Sequence, residues 1–217
     1  MHAMILAAGR GERLRPITNN LPKCLVKIGN ECLLEKHFNM LIKSGVRKVV
    51  INLGWLGEKI VEFAGSGERF GLEITYSSES DQILETGGGI TKALPLLGDH
   101  PFWVINGDIY TNFIVPEVTL GDGVLGHLIL VPRPTYKIKG DFDLDNNKVL
   151  RNNNPSLTFS GIALYDPRAF KGMKPERFSI VSLLNKLIDH ECIEGSLFEG
   201  IWEDVGTPER LTRLNSI

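Results

Sequence analysis

The chain has 217 residues, 42% of them hydrophobic and 23% charged, which suits one domain spanning 1–217 with a sizeable core. Twenty-four basic residues against twenty-six acidic ones leave a net charge of -2, which excludes a basic nucleic-acid surface and a long charged tail. Any phosphate site is therefore local, built from a few cations and backbone amides. The cysteines Cys24, Cys32 and Cys192 form no CxxC pair, which argues against zinc and for free thiols in a reducing compartment. No apolar run approaches the roughly eighteen residues of a membrane span, and Met4 to Gly9 is too short for a signal peptide. The expectation is a cytoplasmic protein with no membrane partner.

Residues 2–7 read as a buried strand ending in the turn Gly9, Arg10, Gly11. Pro16 and Pro22 keep the next stretch from becoming helix. Leu34, Phe38, Leu41 and Ile42 share one face of a helix over 31–44, stopped by Gly45. Strands over 46–53 and 72–77 flank a helix over 58–64. A helix over 89–97 then leads to a strand over 102–106. This alternation predicts a Rossmann-like α/β three-layer sandwich with a mostly parallel central sheet. Beyond it, 124–131 and 157–165 read as strands, and 132–156 as a hairpin or flap over the site. Ser179 caps a helix to about His190, and Thr207-Pro208-Glu209 opens another.

In such sheets ligands sit at the carboxyl ends of strands, and the chemistry-bearing residues fall there. The loop Leu6 to Pro16 offers amides for phosphate, small alanines for a base or ribose, and Arg13 and Arg15 as cations. A plain strand-to-helix turn is its alternative. The dinucleotide pattern GxGxxG fails because Leu14 stands at its third glycine, and no GxxxxGK[ST] occurs. Lys23, pinned after Pro22, either neutralises a phosphate in flight or is solvated. Glu85-Thr-Gly-Gly-Gly89 is either a close-approach surface for a ligand or a flexible turn. Asp108 follows a buried strand and Gly107, so it either presents a carboxylate to Mg²⁺ or caps a turn. Asp204 is either a second ligand or an aid to the Thr207 cap. A glycine-arginine loop, a lysine and two strand-end acids make up the kit for metal-assisted phosphoryl or nucleotidyl transfer.

These residues resemble the sugar-1-phosphate nucleotidyltransferases. Leu6-Ala-Ala-Gly-Arg-Gly-Glu-Arg-Leu-Arg-Pro-Ile-Thr18 is similar to their signature loop, and Pro22-Lys23 to their Pro-Lys-Pro segment. Gly107-Asp108 and Asp204-Val-Gly-Thr-Pro208 match two further motifs in order, so the likeness runs from residue 4 to about 214. Within the family, Asn52 to Gly57, Glu85 to Gly89, Ala93 to Gly98 and Trp202 to Leu211 look most like the short bacterial uridylyltransferases acting on N-acetylmuramate 1-phosphate in peptidoglycan recycling. Guanylyl- or thymidylyltransferases acting on a hexose or heptose 1-phosphate are the alternative.

The resemblance implies the nucleotide-diphospho-sugar transferase fold, a nucleoside triphosphate (UTP favoured) and a sugar 1-phosphate as substrates, and Mg²⁺ as cofactor. It implies that Gly11, Glu12 and Arg13 cradle the triphosphate, that Gly9 joins them in binding the nucleotide, and that Arg13 and Lys23 are catalytic. It puts Leu6, Ala8, Glu79, Glu85, Gly87 and Gly88 around the base. Lys23, Asn106, Gly140 and Gly161 then meet the sugar phosphate, and Asp108 and Asp204 hold the metal. Cys24 replaces the second proline, which implies a looser lysine loop. The C-terminal extension of longer relatives is missing, which implies a monomer or weak dimer without the regulatory sites housed there. His37 is expected to be structural. The rival readings are a catalytically silent nucleotide-sugar sensor, which predicts loss of Arg13, Lys23, Asp108 or Asp204, and a dinucleotide-dependent oxidoreductase.

Overall fold

In the computed structural model, which describes residues 1–79 and 83–216, the apolar run His2–Leu6 forms strand β1. Three short 3-10 turns follow at Glu12–Leu14, Ile17–Asn19 and Lys23–Leu25, where Pro16 and Pro22 disfavour longer helix. Two-residue strands β2 (Lys27–Ile28) and β3 (Glu31–Cys32) lead into helix α1 (Leu33–Lys43). Then come β4 (Lys48–Leu53), α2 (Gly57–Ala64), β5 (Glu73–Ser78), α3 (Glu85–Leu97), β6 (Phe102–Asn106) and β7 (Ile109–Thr111). The second half contains β8 (Gly126–Pro132), β9 (Asp143–Asp145), β10 (Lys148–Leu150) and β11 (Leu157–Tyr165). It closes with α4 (Ile180–Asp189), β12 (Ile193–Leu197), β13 (Trp202–Asp204) and α5 (Pro208–Leu214).

Among the described residues, nine strands form the central sheet in the order β5-β4-β1-β6-β11-β8-β12-β10-β9. β5, β4, β1 and β6 are mutually parallel, and β8, β12 and β9 share their direction; only β11 and β10 are reversed. Helices α1 and α2 pack on one face around Phe38, Leu41 and Ile60. On the other face, α3 and α4 pack through Ile90, Ala93, Leu184 and Leu187. These are the three layers expected. The register explains why: Leu34, Phe38 and Leu41 lie three or four residues apart, so they share one stripe, and all are fully buried. Burying each such side chain contributes roughly 1.5–3 kcal/mol.

The expected elements are present with shifted ends. The largest shift is in α3, which starts at Glu85 rather than Gly89, so Gly87, Gly88 and Gly89 lie inside the helix. Ser179 and Thr207 cap α4 and α5 by accepting from the amides of Val181 and Arg210. Part of the 132–156 stretch is the β9–β10 hairpin at the sheet edge. No helix among the described residues is long and apolar enough to cross a membrane.

What positions the site is the strand order. The chain runs outward from β1 through β4 to β5, then returns to place β6 on the other side of β1. The loops after β1 and β6 diverge at that switch, which opens a crevice beyond the strand ends.

Candidate active site

A cleft of about 520 Å³ occupies that crevice. Its lining brings together Leu6, Ala8, Gly9, Gly11, Glu12, Arg13, Lys23, Glu79, Glu85, Asn106 and Asp108, eleven of the residues singled out in the sequence. It also includes Arg10, Asn52 and Gly206. Residues 80–82 of the loop between Glu79 and Gly89 lie outside the described residues.

The floor is the Leu6–Arg13 loop. Gly11 sits at φ +61, and a Cβ there would meet Thr18 Cγ2 at 2.9 Å, so a side chain is excluded by both backbone and space. The Thr18 hydroxyl donates to the Gly11 carbonyl at 2.7 Å and pins the turn. Among the described residues, the N–H groups of Gly9, Arg10, Gly11 and Glu12 donate to no protein group, which leaves them for an anion. Arg13 crosses the cleft: its Nη1 lies 3.5 Å from the position of a Cβ on Gly206. Arg10 lies over the Trp55 ring, 5.6 Å from its centroid.

Beneath the loop lies a buried polar chain. Asn52, at the end of β4, accepts from the Ala7 amide at 2.6 Å and donates to Glu79 Oε1 at 2.6 Å. Glu79 Oε2 accepts from the Leu84 amide at 2.7 Å. A carboxylate 3% exposed with each oxygen bonded ties the ends of β1, β4 and β5 to the start of α3. Asn52 carries no role in the sequence reading, although a polar residue ending the apolar run Val49-Val50-Ile51 is the signal that marks it.

The second wall follows β6. Lys23 Nζ donates to Asp108 Oδ2 at 2.6 Å, with the lysine side chain only 13% exposed. The lysine turn is closed by Leu25 N–H to Pro22 O at 2.9 Å and Val26 N–H to Lys23 O at 3.1 Å. The looseness expected from Cys24 is therefore not found: two backbone hydrogen bonds and the burial of Cys24 hold the loop. Behind Asp108, His37 is buried with its Nε2 unpartnered. Burial lowers its pKa to about 4, against the opposing pull of the Asp108 carboxylate.

Asp204 comes alongside through the pairing of β13 with β7. Asp204 faces Ile109, and the Val205 amide donates to the Asp108 carbonyl at 2.8 Å. Its Oδ1 accepts from Arg210 Nη1 and from the Tyr136 hydroxyl at 2.5 Å. The Arg210 guanidinium lies over the Tyr136 ring, 3.5 Å from the centroid. Burial first, then the hydrogen bond to Asp204, pushes the Tyr136 hydroxyl above the ordinary phenol range. Sequence reasoning missed Tyr136 and Arg210, since their roles arise only when the flap folds back onto α5.

The other expected residues lie differently. Gly87 and Gly88 do not line the cleft; both amides donate to the Phe178 carbonyl, and a Cβ on Gly87 would fall 2.2 Å from the Phe178 ring. These glycines admit the 176–178 segment against α3. Gly140 lies in a separate hollow between the flap and α4, its amide bonded to Pro155 O. Gly161 stands outside the cleft lining but against Asn106, whose Nδ2 is 2.5 Å from its would-be Cβ.

A divalent cation fits the donor set. Asp108 and Asp204 are hard oxygen donors from adjoining strand ends, and Asp108 Oδ1 and Asp204 Oδ2 remain outside the hydrogen bonds just described. No cluster of three or more acidic, histidine or cysteine side chains suited to a metal occurs among the described residues. One or two carboxylates completed by substrate phosphates is the usual complement for Mg²⁺.

Comparison with known proteins shows the family of the chain. The model of the family described as nucleotidyl transferase matches residues 2–119. The chain is 38% identical over 226 residues to the N-acetylmuramate alpha-1-phosphate uridylyltransferase of Neisseria meningitidis, covering 100% of this chain and 98% of that one. It is 30% identical to the enzyme of the same name from Caulobacter vibrioides, covering 95% and 92%. A crystal structure from Bacillus anthracis, assigned as a glucose-1-phosphate thymidylyltransferase, superposes with a TM-score of 0.87 at 22% identity, covering 100% and 94%, which speaks to fold alone.

Proposed function

Since the chain belongs to the nucleotidyl transferase family, we propose that it transfers uridylate from UTP to N-acetylmuramate 1-phosphate. The products are UDP-N-acetylmuramate and pyrophosphate, in a cytoplasmic step of peptidoglycan recycling. The observation that carries this reading is the meeting, at one strand switch, of the free amides of Gly9–Glu12 with the Lys23–Asp108 pair. The choice of uracil and N-acetylmuramate rests on the full-length likeness to the two uridylyltransferases.

In the reaction, an oxygen of the sugar 1-phosphate attacks the α-phosphorus of UTP. One P–O bond forms, and the bond to the bridging oxygen breaks with its electron pair leaving on pyrophosphate. The attacking oxygen is already anionic, so no general base is required. The Gly9–Glu12 amides and Arg13 hold the triphosphate and stabilise charge on the departing pyrophosphate. Lys23, held by Asp108 and the closed turn, presents its ammonium to the phosphates being joined. Its restrained position means little reorganisation as charge develops. Mg²⁺, held by Asp108 and Asp204, would neutralise phosphate oxygens. Gly161 and Asn106 belong to the proposed sugar side, and the buried Asn52–Glu79 chain holds the base-side wall in register.

The test is pyrophosphate release with Mg²⁺ for UTP, dTTP, GTP, CTP and ATP against N-acetylmuramate, glucose, mannose and N-acetylglucosamine 1-phosphates. Release confined to UTP with N-acetylmuramate 1-phosphate supports the reading. Preference for another pair replaces the substrates and keeps the chemistry. No release from folded protein with any pair sinks the proposal and returns the silent sensor.

A further inference from the structure

The flap carries one side chain into the metal-side wall. Residues 133–141 form a self-tied loop: Arg133 Nη1 donates to the carbonyls of Lys137 and Ile138, and Lys137 Nζ pairs with Asp141 Oδ2 at 2.9 Å. Lys137 N–H donates to Pro134 O at 3.0 Å, and Gly140 N–H to Pro155 O at 3.0 Å. The loop therefore moves Tyr136 as part of one body. Ile138, at its tip, is 97% exposed, so no packed core holds the tip down. What docks the loop at this end is the Tyr136 hydroxyl on Asp204 and the Arg210 guanidinium over the Tyr136 ring.

Both donors to Asp204 use the same oxygen. Tyr136 and Arg210 meet Oδ1, while Oδ2 points to the Gly206 side, 3.1 Å from the position of a Cβ there, and Gly206 lines the cleft. A carboxylate gripped through one oxygen is restrained in rotation and offers the other. Partners of this kind orient metal ligands and tune their affinity. We propose that Tyr136 is a positioning residue, which by binding Oδ1 of Asp204 turns Oδ2 toward the divalent cation and so couples flap docking to cation binding.

This inference rests on the reading of Asp204 as a metal ligand. Coupling is reciprocal: whatever the docked flap contributes to cation affinity, the cation returns as protection of the flap. Tyr136→Phe removes the hydroxyl and keeps the ring under Arg210. The experiment is titration of the full chain with Mn²⁺, read by the electron paramagnetic resonance signal of the free ion. In parallel, trypsin cleavage at Lys137 and Lys139 is followed with and without Mn²⁺.

In the wild type, Mn²⁺ binds and slows cleavage. In Tyr136→Phe the Mn²⁺ dissociation constant rises on the order of tenfold, flap cleavage quickens, and the ion no longer slows it, while the melting temperature stays put. Unchanged affinity and unchanged protection in Tyr136→Phe overturn the proposal. Asp204→Ala separates the two readings: if it binds Mn²⁺ as the wild type does, or the wild type binds none, Asp204 is no ligand and the latch falls with it.

Discussion

Lys23 and Asp108 are 85 residues apart in sequence, yet Lys23 Nζ and Asp108 Oδ2 lie 2.6 Å apart, the lysine largely buried and the aspartate a third exposed. The pair joins the loop after β1 to the end of β6, the two sides of the strand switch. At such exposure its contribution to folding is small, roughly 0–1 kcal/mol. Its value lies in where it holds the ammonium.

Lys23→Ala is therefore expected to lower kcat on the order of 10²–10³-fold, the usual cost of removing one preorganised donor, with little change in the KM for the triphosphate. Steady-state kinetics beside a thermal melt decide it. An unchanged kcat removes Lys23 from the chemistry. A large drop in melting temperature makes it a structural pair instead.

Asp108→Ala and Asp204→Ala are each expected to abolish transfer while the fold persists. Asp204→Ala leaves Arg210 a second carboxylate neighbour in Glu203, 3.9 Å from its Nε, so the melting temperature should hold. Full turnover in either variant at saturating Mg²⁺ would strike that residue from the cation site.

The parts of this site that were legible in the sequence are those carried by local pattern. A short apolar run ending in a glycine-arginine loop marks β1 and the anion cradle. An acid after Gly107 marks the end of β6. The parts that were not legible depend on chain segments distant in sequence. Tyr136 acquires its partner 68 residues further on, at Asp204. Asn52 matters because Ala7 and Glu79 come to it from two other strand ends. The start of α3 was misplaced for a related reason. Gly87 to Gly89 look unsuited to helix, but that cost is offset by close packing of Gly87 against Phe178, Gly88 against Glu176, and Gly89 against Glu79 and Asn52, which only tertiary structure reveals.

That packing makes its own prediction. A Cβ on Gly87 falls 2.2 Å from the Phe178 ring, well inside contact distance. Gly87→Ala should destabilise by about 1–3 kcal/mol, the usual cost of overpacking. In a chain of this size that lowers the melting temperature by several degrees, about 2–4 °C per kcal/mol. Gly87→Ala with a wild-type melting temperature and a raised KM for UTP would instead place Gly87 in contact with the nucleotide.

His37 predicts a pH dependence of stability. Burial lowers its pKa from 6.5 to about 4, so the imidazole is neutral in the fold at pH 7. The unfolded chain takes up that proton near pH 6.5. Between those values the unfolded state binds more protons, so stability falls as pH falls from about 6.5 and levels off below about 4. From pH 7 to 5, His37 alone should cost about 2 kcal/mol. His37→Gln cannot titrate, so its urea midpoint should move less over this range than the wild type's, whatever its absolute stability. Parallel slopes for the two proteins would mean that His37 takes up its proton alike in the folded and unfolded chain, and a wild-type slope shallower than the variant's would mean that it is charged in the fold beside Asp108.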